Sequence, residues 1–156
     1  MDDIIVRLDA DDFLCELDAF RIMNLVYNDS GCDCLWTAHR WFDDDSITSQ
    51  NISAVMPDNA DPYKHPWVSS HCKTFRKSLI NDVNDANFRG QDGEYIKRAG
   101  DQAVYLPVLH KAKKRVYLPH VTYAYRCEMK PQTFQTQDAK FQKAEAEFLR
   151  ERGFIK

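Results

Sequence analysis

The chain opens with Ile4-Ile5-Val6-Arg7-Leu8, an apolar, β-branched run that stops abruptly at Asp9-Ala10-Asp11-Asp12. Such a run predicts a buried strand with the acids in the loop at its carboxyl end. From Glu16 to Tyr27, the residues Leu17, Phe20, Met23 and Leu25 recur at near-helical spacing, and Asn28-Asp29-Ser30-Gly31 stops the helix. Cys34 to Trp41 alternates as a second strand does. Strand, helix, strand, with an acidic loop after the first strand, implies an α/β layered fold.

From Phe42 to Val68 the pattern turns polar and carries Pro57, Pro62 and Pro66, which predicts a long loop of the kind that serves as a lid or binding loop. Its Asp43-Asp44-Asp45 run lacks the Gly and distal Glu of a calcium loop and reads as a solvated charge run. Ser69 or Ser70 is placed to cap a helix through Thr74, Phe75, Arg76, Leu79 and Ile80. Gln91-Asp92-Gly93 reads as a turn, and Asp101 opens a helix continuing past Pro107 to Leu109. Arg115–Leu118 and Val121–Tyr125 read as two strands split by Pro119. Residues 138–152 form a terminal amphipathic helix, with Phe141, Ala144, Phe148 and Leu149 on one stripe and Gly153 after it. No internal repeat or linker divides the chain, so residues 1–156 read as one domain.

Composition narrows the classes. At 156 residues, 44% hydrophobic and 29% charged, the sequence is long and apolar enough for a true core. Its net charge of -3 provides no overall field for nucleic acid or an anionic membrane, and the basic cluster Lys111 to Arg115 reads as a solvated turn. No apolar run reaches bilayer length, and Met1-Asp2-Asp3 is acidic where a signal peptide is basic. Five cysteines without a disulfide framework read as small buried hydrophobes in a cytoplasmic setting. Cys32 and Cys34 with His39 nearby lack the second ligand pair of a structural zinc site.

The acidic loop is the main carrier of chemistry. Two carboxylates at spacing i, i+2 after a strand can share one hard cation, and Mg²⁺ or Mn²⁺ held there can bridge the oxygens of a diphosphate. The plainer reading is that Asp11 or Asp12 caps the following helix. Asp101 has the same two readings, catalytic base or helix cap. His71 and His120 are candidates for phosphate contact or the metal shell, or are structural histidines. Arg76 is a candidate phosphate partner, or forms a surface salt bridge. Of Trp36, Trp41 and Trp67, core packing suits Trp36, and Trp67 in the polar loop is the best candidate to face a sugar.

Four ordered segments carry a resemblance. Arg7-Leu8-Asp9-Ala10-Asp11-Asp12-Phe13-Leu14 resembles the strand and D-x-D-D segment of family 2 glycosyltransferases with the GT-A fold. His71-Cys72-Lys73-Thr74-Phe75-Arg76-Lys77-Ser78-Leu79 is similar to a His/Phe/Arg segment of some members. Asp92-Gly93-Glu94-Tyr95, Asp101-Gln102-Ala103 and Leu106-Pro107-Val108-Leu109 resemble the acidic-Gly-aromatic, Asp-x-Ala and Pro-Leu-Leu stretch that follows. Tyr123-Ala124-Tyr125 matches a late Tyr-x-Tyr strand, so the likeness spans about residues 4 to 126.

The resemblance implies transfer of a sugar from a nucleotide-diphosphate donor, a UDP-sugar by preference, to a hydroxyl of a glycan or polysaccharide acceptor, with inversion. It assigns Asp9, Asp11 and Asp12 to Mn²⁺ or Mg²⁺, Arg76 to the donor phosphates, Asp101 to the role of base, and His71, Trp67 and Gln102 to substrate. Because Asp9 lies so near the amino terminus, it also implies a partial GT-A fold lacking the nucleotide-binding units, complemented by a separate donor-binding chain or a homo-oligomer, or a remnant. Two other classes compete. A non-catalytic module would bind glycan or protein through the aromatic loop. A haloacid-dehalogenase-like phosphohydrolase also opens with an apolar strand and D-x-D, but wants a Thr or Val and a Gly-rich turn that Asp12-Phe13-Leu14 does not supply.

Overall fold

A computed structural model describes residues 2–43, 46–48, 51–126 and 137–156. Its described elements are a mixed sheet and four helices, with one 3₁₀ turn, Asp85–Phe88. Strand β1 is Ile4–Arg7, β2 Phe13–Leu14, β3 Cys34–Asp43, β4 Ser46–Thr48, β5 Lys73–Arg76 and β6 Arg115–Arg126. Helix α1 is Ala19–Ser30, α2 Ser78–Asn81, α3 Gly100–Lys111 and α4 Gln137–Arg152. The sheet runs β1-β5-β3-β6-β2, with β4 paired to the end of β3. Its β3–β6 pair is parallel, and the other pairs are antiparallel.

Alternation along β3 sorts the core. Leu35 faces α1, where it packs with Ala19, Met23, Tyr27 and Cys32. Its neighbours Cys34 and Trp36 point the other way, into a cluster with Phe75, Tyr105, Val108 and Leu109 of β5 and α3. A third cluster joins α3 to α4 through Ala103, Leu106 and Leu149, with Tyr63 and Ala99. Burying six such side chains as Trp36, Tyr105, Tyr123, Leu35, Leu106 and Leu109 contributes about 2 kcal/mol each. Tyr105 also satisfies its hydroxyl there, donating to the Leu35 and Thr74 carbonyls at 3.1 Å each. Helix α1 ends as its sequence predicts: Gly31 takes φ +64°, and its N–H closes on the Tyr27 carbonyl at 2.9 Å.

Two sequence expectations fail for identifiable reasons. Lys73–Arg76 is a strand, not the body of a helix, because its alternating residues fill a gap between β1 and β3; only Ser78–Asn81 is helical. The stretch read as two strands split by Pro119 is the single strand β6. Pairing jumps from Thr37↔Leu118 to Ala38↔Val121 and then His39↔Tyr123, so an irregularity in the ladder accommodates Pro119. The run Asp43-Asp44-Asp45 ends in residues outside the described set. Cys32, Cys34 and Cys72 are buried as expected, and burial pushes the Cys34 and Cys72 thiols up to about 12. Among the described residues no helix is long and apolar enough to cross a membrane.

Candidate functional site

The acidic loop leaves β1 and is fastened from β6. The Tyr123 hydroxyl accepts the Asp9 N–H at 3.3 Å and donates to Asp12 Oδ2 at 2.7 Å. Asp12 Oδ1 also accepts the Arg126 N–H at 2.9 Å, so both its oxygens are oriented. Burial, and then the Asp12 hydrogen bond, push the Tyr123 phenol far above its ordinary range, which keeps it a donor. Helix α1 begins only at Ala19 with Asp18 at its cap position, so neither Asp11 nor Asp12 caps it.

His71 lies against the same tyrosine. Its ring stacks on Tyr123 with centroids 4.6 Å apart and planes 12° apart, and it meets His39 edge-on at 5.3 Å. Asp9, Asp12 and His71 each offer one ligand atom, and these atoms all lie within 4.8 Å of one another. Asp11 is outside that trio. His39 is buried beside it, and burial pushes its imidazole down to about 4, reinforced by the charge of Lys73 and opposed by Asp12. Its Nδ1 lies 3.2 Å from the Ser53 hydroxyl.

Asp101 reaches the same neighbourhood from α3. The Arg7 guanidinium donates to the Gly100 carbonyl at 2.7 Å, tying the end of β1 to the start of that helix. Glu145 of α4 anchors the turn leading into the helix, accepting the Arg98 and Ala99 N–H groups at 2.8 and 2.9 Å. Ala99 holds the cap position and Asp101 is the second helical residue, so Asp101 is not the cap. Its carboxylate lies 3.8 Å from Lys73 Nζ; the two side chains are 25% and 3% exposed. Burial pulls the Lys73 ammonium below its ordinary range, opposed by Asp101 and then Asp9. Lys73 thus sits electrostatically between the acidic loop and the candidate base.

A cavity of about 190 Å³ opens beside these groups, lined by Trp41, Trp67, His71, Asp101, Gln102, Tyr125 and Gln142 among others. That is smaller than the roughly 300–1,000 Å³ of sites that enclose a whole drug-sized ligand, and matches part of one. Tyr125 sits 5.2 Å from His71 and 6.1 Å from Trp41, ring to ring. Among the described residues the buried Gln102 amide oxygen has no hydrogen-bond partner.

Of the residues singled out from sequence, Trp67, His71, Asp101 and Gln102 share this cavity, and Asp9 and Asp12 adjoin it through His71. Arg76 does not reach it. It stands at the opposite end of β5 from Lys73, about 10 Å along the strand, where it donates to the Cys32 carbonyl at 2.9 Å and covers the Tyr27 ring. His120 lies 3.2 Å from Glu16, outside the site. Trp36 is core, its indole N–H donating to the Ala54 carbonyl at 3.0 Å. Sequence reasoning missed Lys73, hidden by the helical reading of its segment, and Gln142 and Glu145, whose roles depend on where α4 docks. No protein-family model matches the chain, and no curated protein matches it.

Proposed function

We propose that this chain carries the metal loop and acceptor side of a family 2, GT-A-type glycosyltransferase, moving a sugar from a nucleotide-diphosphate donor to a hydroxyl with inversion. The observation that carries this reading is the single cavity holding Asp101, Gln102, His71 and Trp67 beside the Asp9–Asp12 loop. The two carboxylates, that of Asp12 oriented through both its oxygens, suit a hard divalent cation, and Asp9 and Asp12 would hold Mn²⁺ or Mg²⁺. Bound there, the ion would offset charge on the departing diphosphate.

The chain's own groups supply the rest. Asp101 accepts the proton of the attacking hydroxyl, with Lys73 behind it holding the carboxylate in place. Trp67 and Tyr125 offer aromatic faces to a sugar ring, and the Gln102 amide oxygen accepts one of its hydroxyls. The Glu145 bonds to the Arg98 and Ala99 N–H groups and the Arg7 bond to Gly100 fix the helix end that carries the base.

Release of nucleoside diphosphate from UDP- and GDP-hexoses with Mn²⁺ tests the reading, with Asp101→Asn measured below its melting temperature. Loss of a general base should cost about 10²–10⁴-fold in rate. Turnover unchanged in Asp101→Asn would overturn the assignment.

A further inference from the structure

We infer that the cavity between the turn at residues 90–97 and α4 binds a further sugar unit of the acceptor, which makes the acceptor an oligosaccharide rather than a single sugar. This rests on the transfer reading above and extends its acceptor site. The cavity measures about 260 Å³, with Gln91, Asp92 and Tyr95 on the turn side and Ala144, Glu145 and Phe148 on the helix side. The stripe that the sequence presents as the apolar face of the last helix is not all core. Leu149 is 1% exposed, but Phe141 is 48% exposed, and Ala144 and Phe148 border this cavity. Aromatic surface left outside the core beside a cavity marks a binding face.

The lining suits a sugar, whose C–H faces pack on aromatic rings and whose paired hydroxyls meet planar carboxylates and amides. Tyr95 is 55% exposed yet held in place: the Arg89 guanidinium lies over its ring at 4.2 Å, and its hydroxyl donates to Asp85 at 2.9 Å. Asp92 accepts the Glu94 N–H through Oδ1, and Glu145 accepts both of its bonds through Oε2. Among the described residues no protein group takes Asp92 Oδ2 or Glu145 Oε1, which leaves one oxygen of each for hydroxyls. Position joins this cavity to the first. Gln142 lines the Asp101 cavity, while Glu145 and Phe148, one and two turns farther along α4, line this one. From Gln142 to Phe148 is about 9 Å of helix axis. The Asp101 cavity, about 190 Å³, takes only part of a ligand; with its neighbour it reaches the roughly 300–1,000 Å³ of sites that enclose one whole.

Ligand-observed NMR titration of the full chain tests this, with methyl glycosides and tetrasaccharides of glucose, galactose and N-acetylglucosamine as probes. At least one tetrasaccharide should bind wild type about tenfold or more tighter than its own methyl glycoside. Tyr95→Ala should bring that ratio below about threefold. Ala144→Leu, which fills the cavity from an exposed helix position, should do the same, with cooperative melting as the check that each variant is folded. Equal wild-type affinity for the two lengths, or a preference that survives both variants, would overturn this inference alone. So would a wild type that binds no probe of either length. The expected pattern in a chain that releases no nucleoside diphosphate from UDP- or GDP-hexoses would overturn the transfer reading and leave the glycan site standing.

Discussion

Removing one member of the Lys73–Asp101 pair should have very different consequences depending on which member goes. In Asp101→Asn, Lys73 keeps an ammonium whose side chain is 3% exposed and loses the neighbour that most favours its charge, leaving Asp9 as the next. Breaking a buried pair in this way costs about 3–5 kcal/mol, and the 3.8 Å separation together with the remaining Asp9 argues for the lower end. Lys73 can instead shed its proton, which limits its total penalty at pH 7 to about 5 kcal/mol against an ordinary pKa near 10.4. About 3 kcal/mol in a domain of this size corresponds to a fall of roughly 6–12 °C in Tm. In Lys73→Met the charge and its desolvation leave together. The quarter-exposed Asp101 can take up water, so the cost should stay within about 1 kcal/mol. The double variant should resemble Lys73→Met, giving a coupling of about 3 kcal/mol in a denaturation cycle.

The pH dependence supplies a sign check. A folded-state lysine pKa below the unfolded value means that the unfolded chain holds more protons in between, so stability rises with pH up to the unfolded pKa. The Asp101→Asn deficit should therefore shrink as pH is raised from 7 toward 9.5. Single-variant effects that simply add, with coupling below about 0.5 kcal/mol, would refute the reasoning.

Tyr123→Phe removes the acceptor of the Asp9 N–H and the donor to Asp12; about 2 kcal/mol of stability should go, with Mn²⁺ affinity down about 10–100-fold, by melting and metal titration. His39, pushed from 6.5 to about 4, is neutral when folded while the unfolded chain protonates, so wild type should lose stability as pH falls through that window. The loss amounts to about 3 kcal/mol, and His39→Gln should lack it when denaturation midpoints are compared at pH 7 and pH 4.5. Glu145→Gln weakens two charge-assisted bonds to the turn leading into α3 and should lower stability by about 1 kcal/mol in thermal melts, with a rise in KM as the Asp101 end of the helix loosens.

Local signals carried the parts of the fold that depend on neighbours in sequence. The β-branched run ending in acids is β1 and its loop, Gly31 closes α1, and residues 138–152 lie within α4. What failed depended on tertiary context. Lys73–Arg76 has too few residues to show its period, and only the gap between β1 and β3 makes it a strand. Pro119 breaks a ladder in isolation but sits at an irregularity here. In the site, Asp9, Asp12, Asp101 and Trp67 were legible because their residue types announce chemistry. Lys73 was not, since a lysine reads as surface until its burial is known. Arg76 announced a phosphate partner and points elsewhere for the opposite reason: its strand sets its end of the sheet.

The most direct test of the donor site is a thermal-shift titration of wild type and Asp9→Asn with UDP and GDP, each with and without Mn²⁺. At a hundredfold excess over Kd, binding should add about 2.7 kcal/mol. That corresponds to a rise of roughly 5–11 °C, seen with one or both nucleotides, only with the metal and only in the wild type. No shift in a chain that melts cooperatively, or an equal shift without Mn²⁺ or in Asp9→Asn, would contradict a metal-held diphosphate at this loop.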